Sequence, residues 1–175
     1  MSGGMNMLHT FKKRVTENKR ELMIAFSIAL PLLAFYVFVI APHLAINFSP
    51  SISGYLFWIE KGHRDFSPGD YVLIKFTPER HDPYVQNGYV GKRIGCMPGQ
   101  TLERKGLAFY CDGKLVAVAK TRSISGKPLR PFDWTKGKVP EKHYFVVGEH
   151  PYSWDSRYYG FVSDKEIVAK EVKIF

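Results

Sequence analysis

The sequence is constrained most strongly by one long apolar stretch near its N-terminus. From Leu22 to Ala41 it contains twenty residues and no Asp, Glu, Lys or Arg. A helix needs about 20 apolar residues to cross the hydrocarbon core of a bilayer, so the sequence predicts a transmembrane anchor over residues 22–43. Pro31 lies inside the run, and membrane helices tolerate proline. The alternative is a cleaved secretory signal, whose apolar region is usually about 7–15 residues long.

The charges before the anchor predict its orientation. Residues 12–20 contain five Lys or Arg residues and one Glu. By the positive-inside rule such a flank stays in the cytoplasm. We therefore expect residues 1–21 to be cytoplasmic and residues 44–175 to form a separate domain on the other side of the membrane.

The formal net charge of +9 favours an anionic partner. That partner is either a nucleic acid or the headgroups of a lipid bilayer. The chain carries no nucleic-acid-binding motif, and its cations are scattered rather than gathered on one segment. We expect the lipid bilayer as the partner and no nucleic acid, while salt-dependent DNA binding remains the test of the other reading.

Cys96 and Cys111 are the two cysteines of the chain. An oxidising compartment outside the cytoplasm favours their pairing as a disulfide, with free core thiols as the alternative. They do not form a C-x-x-C motif, and no His or Cys pair lies at the spacing of metal ligands. The sequence therefore predicts neither a metal site nor a cofactor.

Beyond the anchor the sequence predicts a mainly β fold of short antiparallel strands. Residues 50–175 contain runs of β-branched and aromatic residues separated by Gly, Pro and Asp, and we see no amphipathic helix there. Asp112-Gly113 predicts a tight hairpin, and the Pro-rich residues 121–142 predict a long surface excursion that is a candidate for contacting a substrate. The predicted strands are Tyr71–Phe76, Tyr89–Ile94, Leu102–Glu103, Ala108–Cys111, Leu115–Ala119, Tyr144–Val147 and Ile167–Ile174.

Three segments carry the functional prediction when they are read together. Asn47-Phe48-Ser49-Pro50-Ser51 follows the anchor, Lys92-Arg93 opens a run that ends in Pro98-Gly99, and the third segment is Ser153-Trp154-Asp155-Ser156-Arg157-Tyr158-Tyr159-Gly160. In this order they resemble the signal peptidase I family. Its motifs are a serine just after the membrane segment, a K-R-x-x-x-x-P-G run and a late S-x-D-S-R-x-x-G block. The resemblance covers residues 45–175.

Within that family the chain resembles most closely the TraF-type peptidases of conjugative transfer systems, which process a pilin precursor and in some cases close it into a ring. The grounds are its short length and the N-x-[ST]-x-S lead into Ser51. The resemblance implies a single-pass protein of the bacterial inner membrane with a periplasmic catalytic domain. Its partner would be a membrane-held precursor with small residues before the cleaved bond. A general signal peptidase is the close alternative, and a non-catalytic scaffold of the transfer machinery is the third.

The resemblance also implies roles for individual residues. Ser51 would be the nucleophile and Lys92 the general base, a role that requires a neutral and therefore desolvated amine. Ser49 and the Ser51 backbone N–H would bind the oxyanion, and Ser153 would orient the Lys92 amine. We expect Val90, Ile94 and Met97 to keep that amine dry.

Two further residues are expected to shape the site without taking part in the chemistry. Asp155 and Arg157 match an ion pair of the family. The chain departs from the family pattern at Ser53, where the family usually has proline, which makes Ser53 a rival nucleophile. It departs again at Gly148-Glu149-His150, where the family usually has G-D-N.

Overall fold

The computed structural model describes residues 3–76 and 88–175, with side chains from residue 18 onward. The chain divides into two compact units, Met1–Pro42 and His43–Phe175.

The N-terminal unit is helical. Helix α1 spans Gly3–Phe35 and continues through Pro31 without a break. A π-helical turn at Tyr36–Ile40 and a 3-10 turn at Ala41–His43 follow it. Among the described residues, the segment Asn18–His43 is long and apolar enough to cross a membrane.

The second unit is built mainly from antiparallel strands, eleven of them among the described residues. Its one short helix among those residues, α2, spans Ser156–Tyr159. The strands are β1 Leu44–Ile46, β2 Leu56–Lys61, β3 Tyr71–Phe76, β4 Gly88–Cys96, β5 Thr101–Lys105, β6 Ala108–Cys111, β7 Lys114–Val118, β8 Lys136–Lys138, β9 His143–Val147, β10 Val162–Ser163 and β11 Ile167–Lys173.

The described strands form two sheets. The larger has the order β1-β2-β11-β3-β4-β9-β10, and the smaller has the order β7-β6-β5-β8. A disulfide between Cys96 at the end of β4 and Cys111 at the end of β6 joins them. Both cysteines belong to a buried cluster with Leu102, Phe109 and Phe145. The disulfide expected from the sequence is therefore formed, and it links the two sheets inside an apolar core.

Most predicted strands lie within one or two residues of the observed ones, and β3 and β6 have the predicted bounds. The Asp112-Gly113 hairpin is confirmed, because Cys111 on β6 pairs with Lys114 on β7. Both turn residues have positive φ, 46° and 81°, as a type I′ turn requires. The mainly antiparallel β fold with one N-terminal apolar helix is thus confirmed.

Four strands and α2 were not predicted. β1, β8 and β10 are only two or three residues long. Such lengths are too short for an alternating pattern to emerge. The six-residue strand β2 and the helix α2, where the sequence indicated no helix, complete the unpredicted elements.

Candidate active site

The segment that carries Ser51, residues 47–54, is shaped by the side chain of Asn47. We call this segment the Ser51 loop. The Asn47 amide nitrogen donates to the backbone carbonyls of Ser49, Ile52 and Gly54, at 2.9, 3.2 and 3.0 Å. Its amide oxygen accepts the Ser49 N–H at 2.9 Å. One side chain thus folds the loop back on itself and presents Ser51 at its bend.

Ser49 and Ser51 face each other across this bend. The Ser49 hydroxyl donates to Ser51 Oγ at 2.9 Å, and the Ser51 backbone N–H donates to Ser49 Oγ at 3.2 Å. Because Ser51 Oγ is the acceptor in the first bond, its own proton is left to be donated in another direction. The two groups expected to bind an oxyanion are therefore adjacent, and in this structure they bond to each other.

The turn after β9 holds the other side of the loop. The Glu149 N–H donates to the Ser51 carbonyl at 2.6 Å. At the preceding position, Gly148, a Cβ atom would overlap Ser153 Oγ and would lie 2.9 Å from the Ser51 carbonyl oxygen. Glycine is therefore required here because two elements of the site approach its backbone closely.

Lys92 lies in the middle of β4 and is only 4% exposed. It pairs with Val72 of β3, and strand alternation places it on the same face as Val90 and Ile94. That face belongs to an apolar core cluster that includes Val72 and Ile94, with Val90 and Met97 packed against it. The Lys92 amine donates to Ser153 Oγ at 3.0 Å.

Asp155 and Arg157 form a buried ion pair behind Ser153. Arg157 Nη2 lies 2.6 Å from Asp155 Oδ2, and the two side chains are 3% and 0% exposed. Burial opposes the charge of Arg157, but the hydrogen bonds and the charge of Asp155 outweigh burial and raise the pKa of the guanidinium above its ordinary value. Arg157 also donates to the Ser153 carbonyl at 3.1 Å, so the pair fixes the backbone of Ser153.

The same pair organises the adjoining turns. Asp155 caps α2 by accepting the Arg157 N–H, and it accepts the Gly148 N–H at 2.7 Å. Arg157 donates to three further carbonyls, those of Val118, Pro151 and His150. A single ion pair thus joins α2, the Gly148 turn and the end of β7.

Ser51, Lys92 and Ser153 line one cavity of about 930 Å³. Residues 123–129 of the predicted surface excursion contribute Ile124 and Leu129 to its wall. The structure therefore brings together the three residues for which the sequence predicts chemistry. Ser49 also lines the cavity, whereas Ser53 does not.

Some residues of the site carry no motif that would have revealed them. Trp154 stacks on Tyr158 with ring centroids 5.0 Å apart, and both line the cavity. Trp154 falls at an unspecified position of the late block, so its place in the wall was not predicted. Glu149 was noticed only as a departure from the family pattern, and Asn47 only as part of the lead.

The comparisons with known proteins identify the family of the chain. A family model described as signal peptidase, peptidase S26, matches residues 18–175. That range covers most of the chain, and the chain belongs to the signal peptidase family. Family membership supports a peptidase of the signal peptidase type.

Three characterised relatives are similar to this chain. Signal peptidase I V of Bacillus subtilis (strain 168) is 36% identical over 87 residues, 44% of this chain and 52% of that protein. Signal peptidase I of Bacillus caldolyticus is 32% identical over 129 residues, 67% of this chain and 68% of that protein. Conjugal transfer protein TraF of Agrobacterium tumefaciens (strain 15955) is 26% identical over 143 residues, 74% of this chain and 81% of that protein. The chain thus matches about half the length of the first relative and more of the other two.

A crystal structure of a signal peptidase I from Enterococcus faecalis V583 is similar over 61% of this chain and 97% of that one. Its sequence identity is 24% and its TM-score is 0.40. That overlay is too loose to add to the family assignment.

Proposed function

We propose that this protein is a membrane-bound serine endopeptidase in which Ser51 attacks and Lys92 is the general base. One observation carries the proposal. Lys92 is almost fully buried, and its amine donates to Ser153 Oγ in the wall of a cavity that Ser51 also lines. Burial removes the water that stabilises an ammonium ion. A neutral amine in this position donates one hydrogen to Ser153 and is proposed to accept the Ser51 proton.

The reaction then proceeds through an ester of Ser51. Ser51 Oγ attacks the carbonyl carbon of the cleaved bond while its proton passes to the Lys92 amine. Lys92 returns that proton to the departing amine, so that the C–N bond breaks and an acyl-enzyme remains. Water then attacks the ester carbon, and Lys92 takes a proton from the water and passes it to Ser51 Oγ as the ester C–O bond breaks, which gives hydrolysis. Attack by the substrate's own N-terminal amine breaks the same C–O bond, with the amine proton passing through Lys92 to Ser51 Oγ, and gives a cyclic product.

The oxyanion is assigned to the Ser51 backbone N–H and the Ser49 hydroxyl. Both donors lie in the bend of the Ser51 loop, where they bond to each other or to Ser51 Oγ. A hydroxyl rotates freely to suit its acceptor, so the substrate oxygen can replace these mutual bonds. Such donors stabilise charge most effectively in a site that excludes water.

The substrate is proposed to bind as an added strand. Gly88–Lys92 of β4 pairs with β3 on one side, and the pairing of β4 with β9 begins only at Arg93. Among the described strands, none pairs with the second edge of Gly88–Lys92, which is next to the cavity. An extended peptide would satisfy that edge by β-augmentation, with small side chains before the cleaved bond.

The substrate class proposed is the precursor of a conjugative pilin subunit. Its support is the similarity to a conjugal transfer protein TraF over 74% of this chain and the Asn47 lead into the nucleophile. The general removal of signal peptides is the second candidate, supported by the two signal peptidase I relatives. In either case the anchor is proposed to lie in a bacterial inner membrane, with the catalytic domain in the periplasm.

The test is co-expression with a candidate pilin precursor followed by intact mass spectrometry. The wild-type chain, Ser51→Ala, Lys92→Ala and the control Ser53→Ala are compared. We expect a shortened product with the wild type and with Ser53→Ala, and an intact precursor with the other two. A product one water lighter than the linear peptide indicates cyclisation. Processing by Ser51→Ala at the wild-type level would refute the assignment of the nucleophile.

If the wild type leaves the pilin precursor intact but removes the signal peptide of an ordinary secreted protein, the general signal peptidase is the correct reading. If neither precursor is processed, the scaffold alternative gains support.

A further inference from the structure

Glu149 forms hydrogen bonds with the Ser51 loop. It lies in the turn after β9 and has no part in the proposed mechanism. The Glu149 N–H donates to the Ser51 carbonyl at 2.6 Å. Its carboxylate oxygen Oε2 accepts the Ser53 N–H at 2.6 Å, across 96 residues of sequence. These contacts hold the loop on both sides of Ile52. We propose that Glu149 is a positioning residue that fixes the orientation of Ser51 towards Lys92. The proposal rests on the proposed role of Ser51 as nucleophile.

A third contact ties the Glu149 carboxylate to the large sheet. The Tyr71 hydroxyl donates to Glu149 Oε1 at 2.6 Å. Tyr71 begins β3, the strand that pairs with β4 next to Lys92, where Val72 is opposite Lys92. The carboxylate therefore joins the loop that carries the nucleophile to the pair of strands that carries the base. Ser51 and Lys92 are thereby fixed relative to each other.

The charge of Glu149 is suited to this role. Burial tends to raise the pKa of Glu149, but the hydrogen bonds from Tyr71 and Ser53 and the charge of Arg93 outweigh burial and hold that pKa below its ordinary value. An ionised carboxylate is acceptor-only at both oxygens. Burial and the bond to Glu149 raise the pKa of Tyr71, so the phenol keeps the proton that it donates.

Two features limit how much the loss of the Glu149 carboxylate should lower kcat. Glu149 is exposed on its outer side, so its hydrogen bonds compete with water. Asn47 also holds the Ser51 loop, so the loop keeps its general path without Glu149. We expect Glu149→Gln to lower kcat by about 3- to 30-fold and to leave KM unchanged, because attack depends on alignment more strongly than binding does.

The test uses the full-length chain in detergent and an internally quenched peptide with an Ala-X-Ala segment. In Glu149→Gln an amide N–H₂ replaces one of the two carboxylate oxygens. Only one of the two donors, the Ser53 N–H or the Tyr71 hydroxyl, then still faces an acceptor oxygen. Tyr71→Phe removes the bond from the sheet to Glu149 and also the longer contact, 3.4 Å, between the Tyr71 hydroxyl and Ser53 Oγ. The matched control is Glu103→Gln, which removes a carboxylate from the small sheet, where it pairs with Lys105 and Lys136.

Two readouts separate positioning from general stability. The first is the change in kcat compared with the change in KM. The double variant of Tyr71 and Glu149 should lose less kcat than the two single losses combined, since residues of one hydrogen-bond network are not additive. The second is hydrogen exchange of the amides in the Ser51 loop. We expect faster exchange in Glu149→Gln and wild-type exchange in Glu103→Gln.

The outcomes distinguish this inference from the proposed function. If the wild type cleaves the peptide and Glu149→Gln has the same kcat and the same loop exchange, the positioning role is wrong. If the wild type fails to cleave this peptide and every precursor above, the proposed function fails. Faster loop exchange confined to Glu149→Gln would then still support the grip of Glu149 on the loop, and equal exchange would overturn it.

Discussion

The ion pair of Asp155 and Arg157 offers the sharpest prediction about stability. We consider Arg157→Leu, which keeps an apolar body of moderate size but removes the guanidinium. The Asp155 carboxylate, which is 0% exposed, would keep two backbone donors, the N–H groups of Gly148 and of residue 157. It would lose its counter-charge and both hydrogen bonds from the guanidinium. Four backbone carbonyls would lose the same donor.

The magnitude follows from these losses. Breaking a buried pair by removing one partner costs about 3–5 kcal/mol, because a buried charge remains without compensation. A domain of this size has a total free energy of unfolding of roughly 5–15 kcal/mol. For about 130 residues, a loss of 4 kcal/mol lowers Tm by roughly 10–20 °C. The variant should therefore fold at low temperature and melt early.

The assay is thermal unfolding of the full-length chain in detergent, followed by near-UV circular dichroism. Trp154 stacks on Tyr158 beside Arg157, so the aromatic signal reports on this part of the fold. The control is Arg122→Leu, since Arg122 is exposed and donates only to the Gly126 carbonyl among the bonds found for it. A Tm within 3 °C of the wild type for Arg157→Leu would refute the reasoning, as would an equal fall in the control.

Three further predictions concern the same domain. Burial raises the pKa of Glu171 from 4.5 to about 7. As pH rises, the unfolded chain therefore loses this proton at a lower pH than the folded chain does. The free energy of unfolding should fall by about 3 kcal/mol between pH 4.5 and 7. Glu171→Gln should abolish that fall in urea-unfolding titrations and make the protein more stable than the wild type at pH 8. Replacing Cys96 and Cys111 by serine should cost about 3 kcal/mol in the same assay, because the bridge closes a loop of fifteen residues. Ser153→Ala removes the acceptor of the Lys92 amine and should lower kcat by about 10- to 100-fold with little change in KM.

Each of these three predictions has an outcome that contradicts it. A pH dependence that survives Glu171→Gln would assign the titration to another group. Equal stability with and without a reducing agent would mean that the disulfide does not constrain the unfolded chain. Full activity of Ser153→Ala would show that the lysine amine is oriented by other contacts, and Ser67→Ala, at an exposed serine, serves as the control for an unspecific loss.

The sequence predicted those parts of the fold that a local pattern can express. β3 was predicted to the residue because Tyr71–Phe76 is a run of β-branched, aromatic and other apolar residues, with one Lys, directly after the turn signal Pro68-Gly69-Asp70. β8 could not be predicted in this way, because its residues Lys136–Lys138 have no apolar side chain. It forms because Leu102 of β5 pairs with Gly137, where the Trp134 ring lies so close that a Cβ would stand 2.9 Å from it.

The missed elements β2 and α2 have different physical causes. Leu56–Lys61 contains Phe57 and Ile59, which are 0% and 5% exposed and alternate with less buried residues as a strand should. Its first four residues are all apolar, so the sequence itself shows no period of two. The four residues of α2 are too few for helical periodicity. That helix forms because Asp155 caps it and because the Val146 N–H donates to the Ser156 hydroxyl.

The candidate site likewise contains residues that a sequence motif reveals and residues that only the folded structure reveals. A motif points to residue types that a chemistry needs, and the three residues to which it pointed here, Ser51, Lys92 and Ser153, line one cavity. Their chemical roles stay predictions. A motif carries no information about contacts made only after folding, such as the 2.6 Å bond from the Ser53 N–H to the Glu149 carboxylate. Alignment of a nucleophile depends on such contacts, because errors of about 1 Å can cost a factor of 100 in rate. Rate differences among proteins with the dyad proposed here should therefore depend on the residues that hold the loop, and substitutions at Glu149 and Tyr71 measure that dependence in this chain.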